Sequence, residues 1–201
     1  MVGVARAIVK GFANICFHLL YKVDIKGLEN IPEDGGAILC SNHIHALDSV
    51  LYVTRIKRMI YVMGKEELFN TKFKNRFMYS MGVFPVKRDS VAAEEAVNTA
   101  VEHLEDGDLL AIFPEGTRNG LEKGVKPKKG VALIALRAKV PIIPMAMLGT
   151  FKPFTKIKIR IGKPVDCSEY YPKADEKINP RHLITITNDV MDKVIKLRDG
   201  E

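Results

Sequence analysis

The sequence predicts a single α/β domain in which helices flank a mostly parallel or mixed central sheet. Its 201 residues are 47% hydrophobic, which suits one core and is too short for two ordinary domains. Short apolar runs alternate along the chain with stretches of helical periodicity, the order expected of repeated strand and helix units. No internal repeat or linker interrupts that order. We therefore expect an N-terminal amphipathic helix within residues 1–22, followed by the domain itself, residues 23–201.

The N-terminal segment has the pattern of an interfacial helix. Polar residues recur at intervals of four, at Arg6, Lys10, Asn14 and His18, and the rest of residues 2–21 is mostly apolar. Such an apolar face can lie on a membrane or pack on the core, and the pattern leaves both open. No run reaches the roughly 20 apolar residues that cross a bilayer, and no export signal is evident. We expect a peripheral protein at the cytoplasmic face of the cell membrane.

The first half of the domain predicts strands separated by helices. Apolar or β-branched runs bounded by glycine and proline indicate the strands, and apolar residues at helical spacing indicate the helices. In chain order these are a strand and turn at 24–32, a buried strand at 37–41, a helix at 47–56, a strand at 59–63, a helix at 69–81 and a strand at 83–86.

The second half continues the alternation but contains a long polar loop. The predicted elements are a helix at 91–104, a strand at 109–113, a loop at 114–129, a helix at 130–139, strands at 142–148 and 157–161, and a closing helix at 181–197. Gly107 lies where the first of these helices should end. A loop of this length in a compact domain is often functional.

Charge and cysteine usage limit the classes of partner and site. The net charge of +7 and pI near 9.2 favour an anionic partner, such as an anionic membrane surface or a phosphorylated molecule. The basic segments lack a nucleic-acid recognition motif or aromatic stacking platform, so we expect no nucleic-acid partner. Three isolated cysteines suggest neither disulfides nor a zinc site, and we expect no metal.

The first chemically informative residues are His43 and Asp48, which follow the strand at 37–41. A histidine can take a proton from an alcohol near neutral pH, and a carboxylate on its other nitrogen orients it. Five positions along a continuous helix would separate the two side chains by about 140°, so the backbone must turn between them. A strand end that leads into a helix provides such a turn. His45 is a rival base that the sequence does not exclude.

Three further blocks follow other predicted strands. The segment 113–118 has a proline, Pro114, that stops strand pairing, followed by an acid, Glu115, and a flexible residue, Gly116. Thr117 then offers a hydroxyl, and Arg118 a guanidinium suited to phosphate. The segment 82–88 delivers Arg88 at a strand exit, and Lys65 and Lys129 are further candidate charges. The segment 140–147 is an apolar strand whose main expected role is core packing.

These four blocks, in this order, resemble the motif blocks of the glycerolipid acyltransferase family, whose members include lysophosphatidic acid acyltransferases. The resemblance covers about residues 27–147. It implies that His43 is the general base and Asp48 its partner, that Arg88, Arg118 and Lys65 bind the substrate phosphate, and that Glu115, Gly116 and Thr117 form the acceptor-site loop. His45 departs from the small or amide residue that is common there.

The implied reaction moves a fatty acyl group from acyl-CoA or acyl-ACP (acyl carrier protein) to the free hydroxyl of a lysophospholipid, 1-acylglycerol 3-phosphate, making phosphatidic acid. It needs no cofactor besides the donor thioester, and direct transfer is expected. Amides near residues 84–87 or in the 113–118 loop are candidate donors to the oxyanion. Other acceptors, including glycerol 3-phosphate, stay open, as does a non-catalytic module that binds anionic lipid.

Overall fold

The computed structural model describes residues 2–86, 90–173 and 176–200, without the side chains of residues 2–5 and 90–92. Within these ranges the chain forms seven strands and six α-helices. In chain order they are α1 (Val2–Leu20), β1 (Lys22–Lys26), β2 (Ala37–Ser41), α2 (Asp48–Arg55), β3 (Ile60–Lys65), α3 (Lys72–Ser80), β4 (Val83–Val86), α4 (Ser90–Glu105), β5 (Leu109–Ile112), α5 (Gly130–Ala138), β6 (Ile142–Gly149), β7 (Lys156–Ile161) and α6 (Pro180–Asp199).

All seven strands join one mixed sheet in the order β1-β7-β6-β2-β5-β3-β4. Neighbouring strands are parallel except for β6 and β7, which are antiparallel. Strands β1 and β7 therefore run opposite to the other five. As a result, the starts of β1 and β7 lie at the same edge of the sheet as the C-terminal ends of β2 to β6. The predicted fold class is confirmed.

Helices cover both faces of the sheet, because side chains alternate between the faces along each strand. Leu39 packs into a core cluster with Phe17 of α1 and Leu51 of α2. Its neighbour Ile38 points the other way, into a second cluster built with α4, α5 and α6. The catalytic candidates follow β2, which is buried along its whole length between these two layers.

Helix α1 packs on the domain through Phe17 and through polar side chains such as Lys10, and it turns an apolar stripe outward. The Lys10 ammonium donates to the carbonyl of Ile56 at 2.8 Å, and Phe17 is buried in the core. The outward stripe is strongly exposed, from 59% to 69%, at Ile8, Phe12, Ile15 and Leu19. Among the helices in the described part of the chain, none has the length and hydropathy needed to cross a membrane.

The helix predicted at 69–81 begins later than its apolar pattern indicates. Residues Glu66–Phe69 form a 3-10 turn, and α3 starts only after Thr71. The Thr71 hydroxyl accepts a hydrogen bond from the backbone N–H of Lys74 at 3.2 Å, which is N-capping geometry. The apolar pattern of the predicted helix extends into this turn because Leu68 and Phe69 are also apolar, so the pattern alone does not show where the helix begins.

Candidate active site

His43 and Asp48 meet at the turn between β2 and α2, as the sequence predicts. The Nδ1 atom of His43 lies 2.8 Å from Oδ2 of Asp48. The carboxylate is fully buried, whereas the histidine side chain is 22% exposed. Asp48 is the first residue of α2, where the partial positive charge of a helix N-terminus favours a carboxylate.

Hydrogen bonds to Asp48 determine which nitrogen of His43 carries the proton. Oδ2 of Asp48 also accepts the backbone N–H groups of Ile44 and His45, at 2.8 and 2.9 Å. Because this oxygen is an acceptor, Nδ1 of His43 must be the donor. In the neutral ring, Nε2 is then unprotonated, and it makes no hydrogen bond to a described residue. A free basic nitrogen beside a buried carboxylate is the arrangement that general-base catalysis requires.

Aromatic and amide side chains fix the position of this turn. The ring of His43 stacks on Phe113 with 4.4 Å between centroids. The buried amide of Asn42 donates to the carbonyl of Met147 and accepts from its N–H, at 2.9 and 2.8 Å. Asn42 thus continues the pairing of β2 with β6 beyond the last strand residue. Ser41, just before it, shares a hydrogen bond of 2.5 Å with the hydroxyl of Tyr52.

Glu115 joins the turn to the loop after β5. Its carboxylate is 2% exposed and accepts the N–H of His43 through Oε1 and the N–H of Leu121 through Oε2, each at 2.8 Å. The N–H of Asn119 donates to the carbonyl of His43 at 2.6 Å. Gly120 makes this packing possible, since a Cβ there would lie 2.8 Å from the Glu115 carboxylate. Both peptide groups of His43 are therefore held by this loop.

The other predicted residues of the loop are exposed. Gly116 adopts φ +62°, and a Cβ there would approach the side chain of Lys128 to 2.9 Å. Thr117 and Arg118 are exposed, and within the described chain the Arg118 guanidinium makes no hydrogen bond. The loop therefore contributes one buried carboxylate to the His43 turn and presents one cation to solvent.

Lys65 ends β3 at the same edge of the sheet but on the opposite face from the His43 ring. Tyr61 and Met63, its alternation partners, pack with the α4, α5 and α6 layer, whereas Phe113 belongs to the other cluster. Lys65 is exposed and pairs in register with Val86, the last residue of β4. Lys87 and Arg88 lie outside the described residues.

His45, the rival base, has different partners. Its ring stacks on Phe151 at 4.4 Å, and Phe151 in turn contacts Tyr21 at the end of α1. Nδ1 of His45 accepts the N–H of Leu47 at 3.2 Å. No carboxylate lies on either ring nitrogen of His45 among the described residues. The structure thus distinguishes two histidines that the sequence could not.

A cavity of about 200 Å³ adjoins the turn, and sequence reasoning did not identify all of its lining. It is bounded by Asn42, His43 and Glu115 together with Asn119, Gly149 and Arg198 near the end of α6. A hydrogen bond to Asp199 raises the pKa of Arg198. No motif marks Arg198, because only tertiary packing brings α6 to this edge.

The surroundings of the turn offer little for thiol chemistry. Burial raises the pKa of the Cys40 thiol, with a further contribution from the charge of Glu115. Burial likewise raises the pKa of Cys167 to about 11. Both thiols are therefore poor nucleophiles near neutral pH. In the described part of the chain, no cluster of three or more His, Cys, Asp or Glu side chains is arranged to hold a metal.

Known proteins are similar to this chain in sequence and in fold. Residues 22–148 match the family model described as Acyltransferase. A 1-acyl-sn-glycerol-3-phosphate acyltransferase of Bacillus subtilis (strain 168) is 31% identical over 155 residues, which cover 74% of this chain and 76% of that protein. One of Borreliella burgdorferi is 32% identical over 136 residues, 67% of this chain and 54% of that protein.

Among solved structures, the 1-acyl-sn-glycerophosphate acyltransferase of Thermotoga maritima has the same fold. The TM-score is 0.69 at 24% sequence identity, and the alignment covers 96% of this chain and 80% of that one. The family model spans well over half of the chain and includes β2, the His43 turn and the loop after β5. On this match, and on the identity to the Bacillus subtilis protein, the chain belongs to the acyltransferase family.

Proposed function

We propose that this protein is a 1-acylglycerol-3-phosphate acyltransferase that makes phosphatidic acid. The observation that supports this most directly is the His43 and Asp48 pair, in which a free Nε2 is backed by a buried carboxylate. The names of the relatives from Bacillus subtilis and Borreliella burgdorferi agree with the assignment.

The reaction is a direct transfer between two bound substrates. Nε2 of His43 takes the proton of the acceptor hydroxyl while the oxygen of that hydroxyl attacks the thioester carbonyl. The carbon–sulfur bond then breaks, and the departing thiolate receives that proton from the imidazolium, which Asp48 stabilises. The thioester itself provides the activation, so no cofactor takes part in this scheme.

The phosphate of the acceptor would lie beside the hydroxyl, along the edge formed by β2, β5, β3 and β4. Adjacent strands are about 4.8 Å apart, so the exit of β3 is about 10 Å from that of β2. The side chain of Arg118, and that of Lys65 from the other face of the sheet edge, would extend toward such a phosphate. The phosphate role proposed for Arg88 rests on the sequence resemblance alone, because Arg88 lies outside the described residues. Arginine is suited to this role because its planar fork matches two phosphate oxygens.

A panel of acceptors and donors tests this function. Purified protein should acylate 1-acylglycerol 3-phosphate far faster than glycerol 3-phosphate, other lysophospholipids or a phosphate-free monoacylglycerol. Arg118→Gln should lower kcat/KM for the phosphorylated acceptor by about 10- to 100-fold, because a charged hydrogen bond to phosphate is lost. The assay is release of free thiol in the presence of liposomes.

Lys139→Gln is the matched control, since Lys139 is an exposed cation at the end of α5, just before the start of β6 and therefore at the opposite edge of the sheet from the loop. Transfer only to the phosphate-free alcohol would contradict the acceptor and the phosphate role of Arg118. The donor is decided by the same panel, with acyl-CoA and acyl-ACP compared at equal chain length. The basic surface suits either an acidic carrier protein or the phosphates of coenzyme A.

We further propose that the protein binds the cytoplasmic face of the cell membrane peripherally through α1. The exposed stripe at Ile8, Phe12, Ile15 and Leu19 supports this, because burying it in lipid removes apolar surface from water. The positive net charge would add attraction to anionic headgroups. This places a lipid acceptor at the surface that the enzyme occupies.

The double substitution Phe12→Ser and Ile15→Ser should weaken binding to vesicles that contain anionic lipid. Each apolar side chain contributes about 1.5–3 kcal/mol when fully buried, so the partition coefficient should fall by about 100-fold or more. Vesicle co-sedimentation measures it. Ile184→Ser, at an exposed apolar position on α6, is the control and should bind normally. Unchanged binding of the double variant would mean that α1 does not enter the membrane.

A further inference from the structure

A second cavity, of about 390 Å³, lies at the base of α1 and shares no lining residue with the cavity beside His43. The last turn of α1, the starts of β1 and β7, and the end of α2 form its walls. Its polar lining consists of His18, Tyr21, Lys22, Asp24, Arg55 and Lys156. Its volume falls in the range of small-molecule sites.

The charge of this cavity is predominantly positive. Lys22, Arg55 and Lys156 face a single carboxylate, that of Asp24. Asp24 already has partners, since it receives Nη2 of Arg160 at 3.0 Å and Nζ of Lys156 at 3.2 Å. Hydrogen bonds from these two cations lower the pKa of Asp24. Arg160 lies outside the lining, so cationic charge in the cavity remains in excess.

Arg55 differs from the two lysines because one of its donor groups is buried. Its Nε atom is buried and has no hydrogen-bond partner among the described residues. Burial lowers the pKa of its guanidinium, and among the residues that the structure describes no carboxylate offsets that effect. A cation with an unpaired buried donor is costly, so an anion that approaches the Arg55 guanidinium from the cavity would offset part of that cost.

The apolar surroundings indicate where such a ligand comes from. The cavity is lined by His18 and Tyr21, which flank Leu19 at the end of the exposed α1 stripe. Phe154, itself 79% exposed, donates its N–H to the carbonyl of Leu20. A phosphate group has the charge and the several acceptor oxygens that Arg55 and two ammonium groups require. Headgroup phosphates lie just outside the acyl chains that this stripe would contact.

We propose that this cavity is a phosphate-binding site, separate from the proposed reaction centre, which holds the headgroup phosphate of an anionic phospholipid through Arg55, Lys22 and Lys156. The same chemistry would also accept a phosphate of a soluble molecule such as coenzyme A. The site would fix the depth and orientation of α1 on the membrane.

Calorimetric titration of the full-length chain tests the proposal. The probes are short-chain phosphatidylglycerol below its micelle concentration, short-chain phosphatidylcholine, inorganic phosphate and coenzyme A. Arg55→Gln and Lys22→Gln should each weaken binding of phosphatidylglycerol by about tenfold or more, because each removes a charged hydrogen bond. Lys26→Gln, at the opposite end of β1, is the matched control and should bind normally. Lys22 is exposed, so its variant guards against misfolding of the Arg55 variant.

If Arg55→Gln and Lys22→Gln weaken binding of phosphatidylglycerol, the site holds a lipid phosphate. If they weaken only the binding of coenzyme A, the phosphate site is supported but its ligand is the acyl donor. Equal losses in all three variants, or none in Arg55→Gln and Lys22→Gln, would overturn the proposal, since general surface charge would then explain binding. His43→Ala should keep this affinity while losing turnover, so the failure of this site and of the proposed activity can be told apart.

Discussion

His43→Ala should lower kcat by about 100- to 10,000-fold while leaving the fold and lipid binding intact. The substitution removes the only basic nitrogen that a buried carboxylate orients among the described residues of the turn. The hydroxyl would then have to lose its proton to water. Single-turnover acyl transfer with both substrates saturating measures the chemical step directly, and thermal unfolding checks that the variant is folded.

His45→Ala is the matched control for this substitution. Its ring stacks on Phe151 and, within the described parts of the chain, has no carboxylate partner, so we expect turnover within a few-fold of the unmodified protein. The reverse outcome, an inactive His45→Ala beside an active His43→Ala, would move the base to His45. A non-catalytic lipid-binding module would have no activity for either substitution to remove.

Asp48→Ala should be nearly as damaging to turnover as His43→Ala, with a fall of about 100- to 1,000-fold, and should also destabilise the protein. One oxygen of Asp48 orients the His43 ring and also accepts two backbone N–H groups. Alanine leaves these donors unpaired in a buried site, at a cost of about 1–3 kcal/mol each. Denaturant unfolding measures the stability, and single-turnover transfer measures the rate.

Asp48→Asn separates the charge of Asp48 from its geometry. Two backbone N–H groups point at the position of Oδ2, so the amide oxygen should take that position and keep Nδ1 of His43 as the donor. Only the charge that stabilises the imidazolium is then lost, and turnover should fall by about 10- to 1,000-fold. Because the two residues act as a unit, the double variant His43→Ala, Asp48→Ala should be no slower than His43→Ala alone. An additive loss would indicate separate roles.

The sequence predicts the elements of this fold better than their arrangement. The strands Ala37–Ser41 and Val83–Val86 are located to the residue, because apolar runs end there at glycine, asparagine or lysine. The reversal between β6 and β7 has no comparable local signal, since it depends on which edge of the sheet is free to pair. The outward stripe of α1 is similar, because amphipathicity shows that a helix has two faces but not which of them meets the domain.

The site divides in the same way. The His43 and Asp48 contact was predictable because side chains five positions apart on a continuous helix would not meet, and a strand end that leads into a helix supplies the turn that they need. The partners of Glu115 were not, since its carboxylate binds backbone N–H groups of His43 and Leu121, which carry no sequence signature. Lys65 lies at the predicted edge of the sheet, but the face of the sheet on which its side chain lies depends on strand register. The separate environments of His43 and His45 likewise arise from tertiary contacts with Phe113 and Phe151.

The hydrogen bonds that hold the His43 turn also affect when the site can form during synthesis. Glu115 is 72 positions downstream of His43, and the Asn42 amide pairs with a residue 105 positions away. Contacts of such long sequence separation form late in folding. A nascent chain that has not yet extruded Met147 would carry the histidine and aspartate motif without the Asn42 anchor that helps to orient it. Competence for chemistry would therefore arise close to completion of the domain, after the motif residues themselves have left the ribosome.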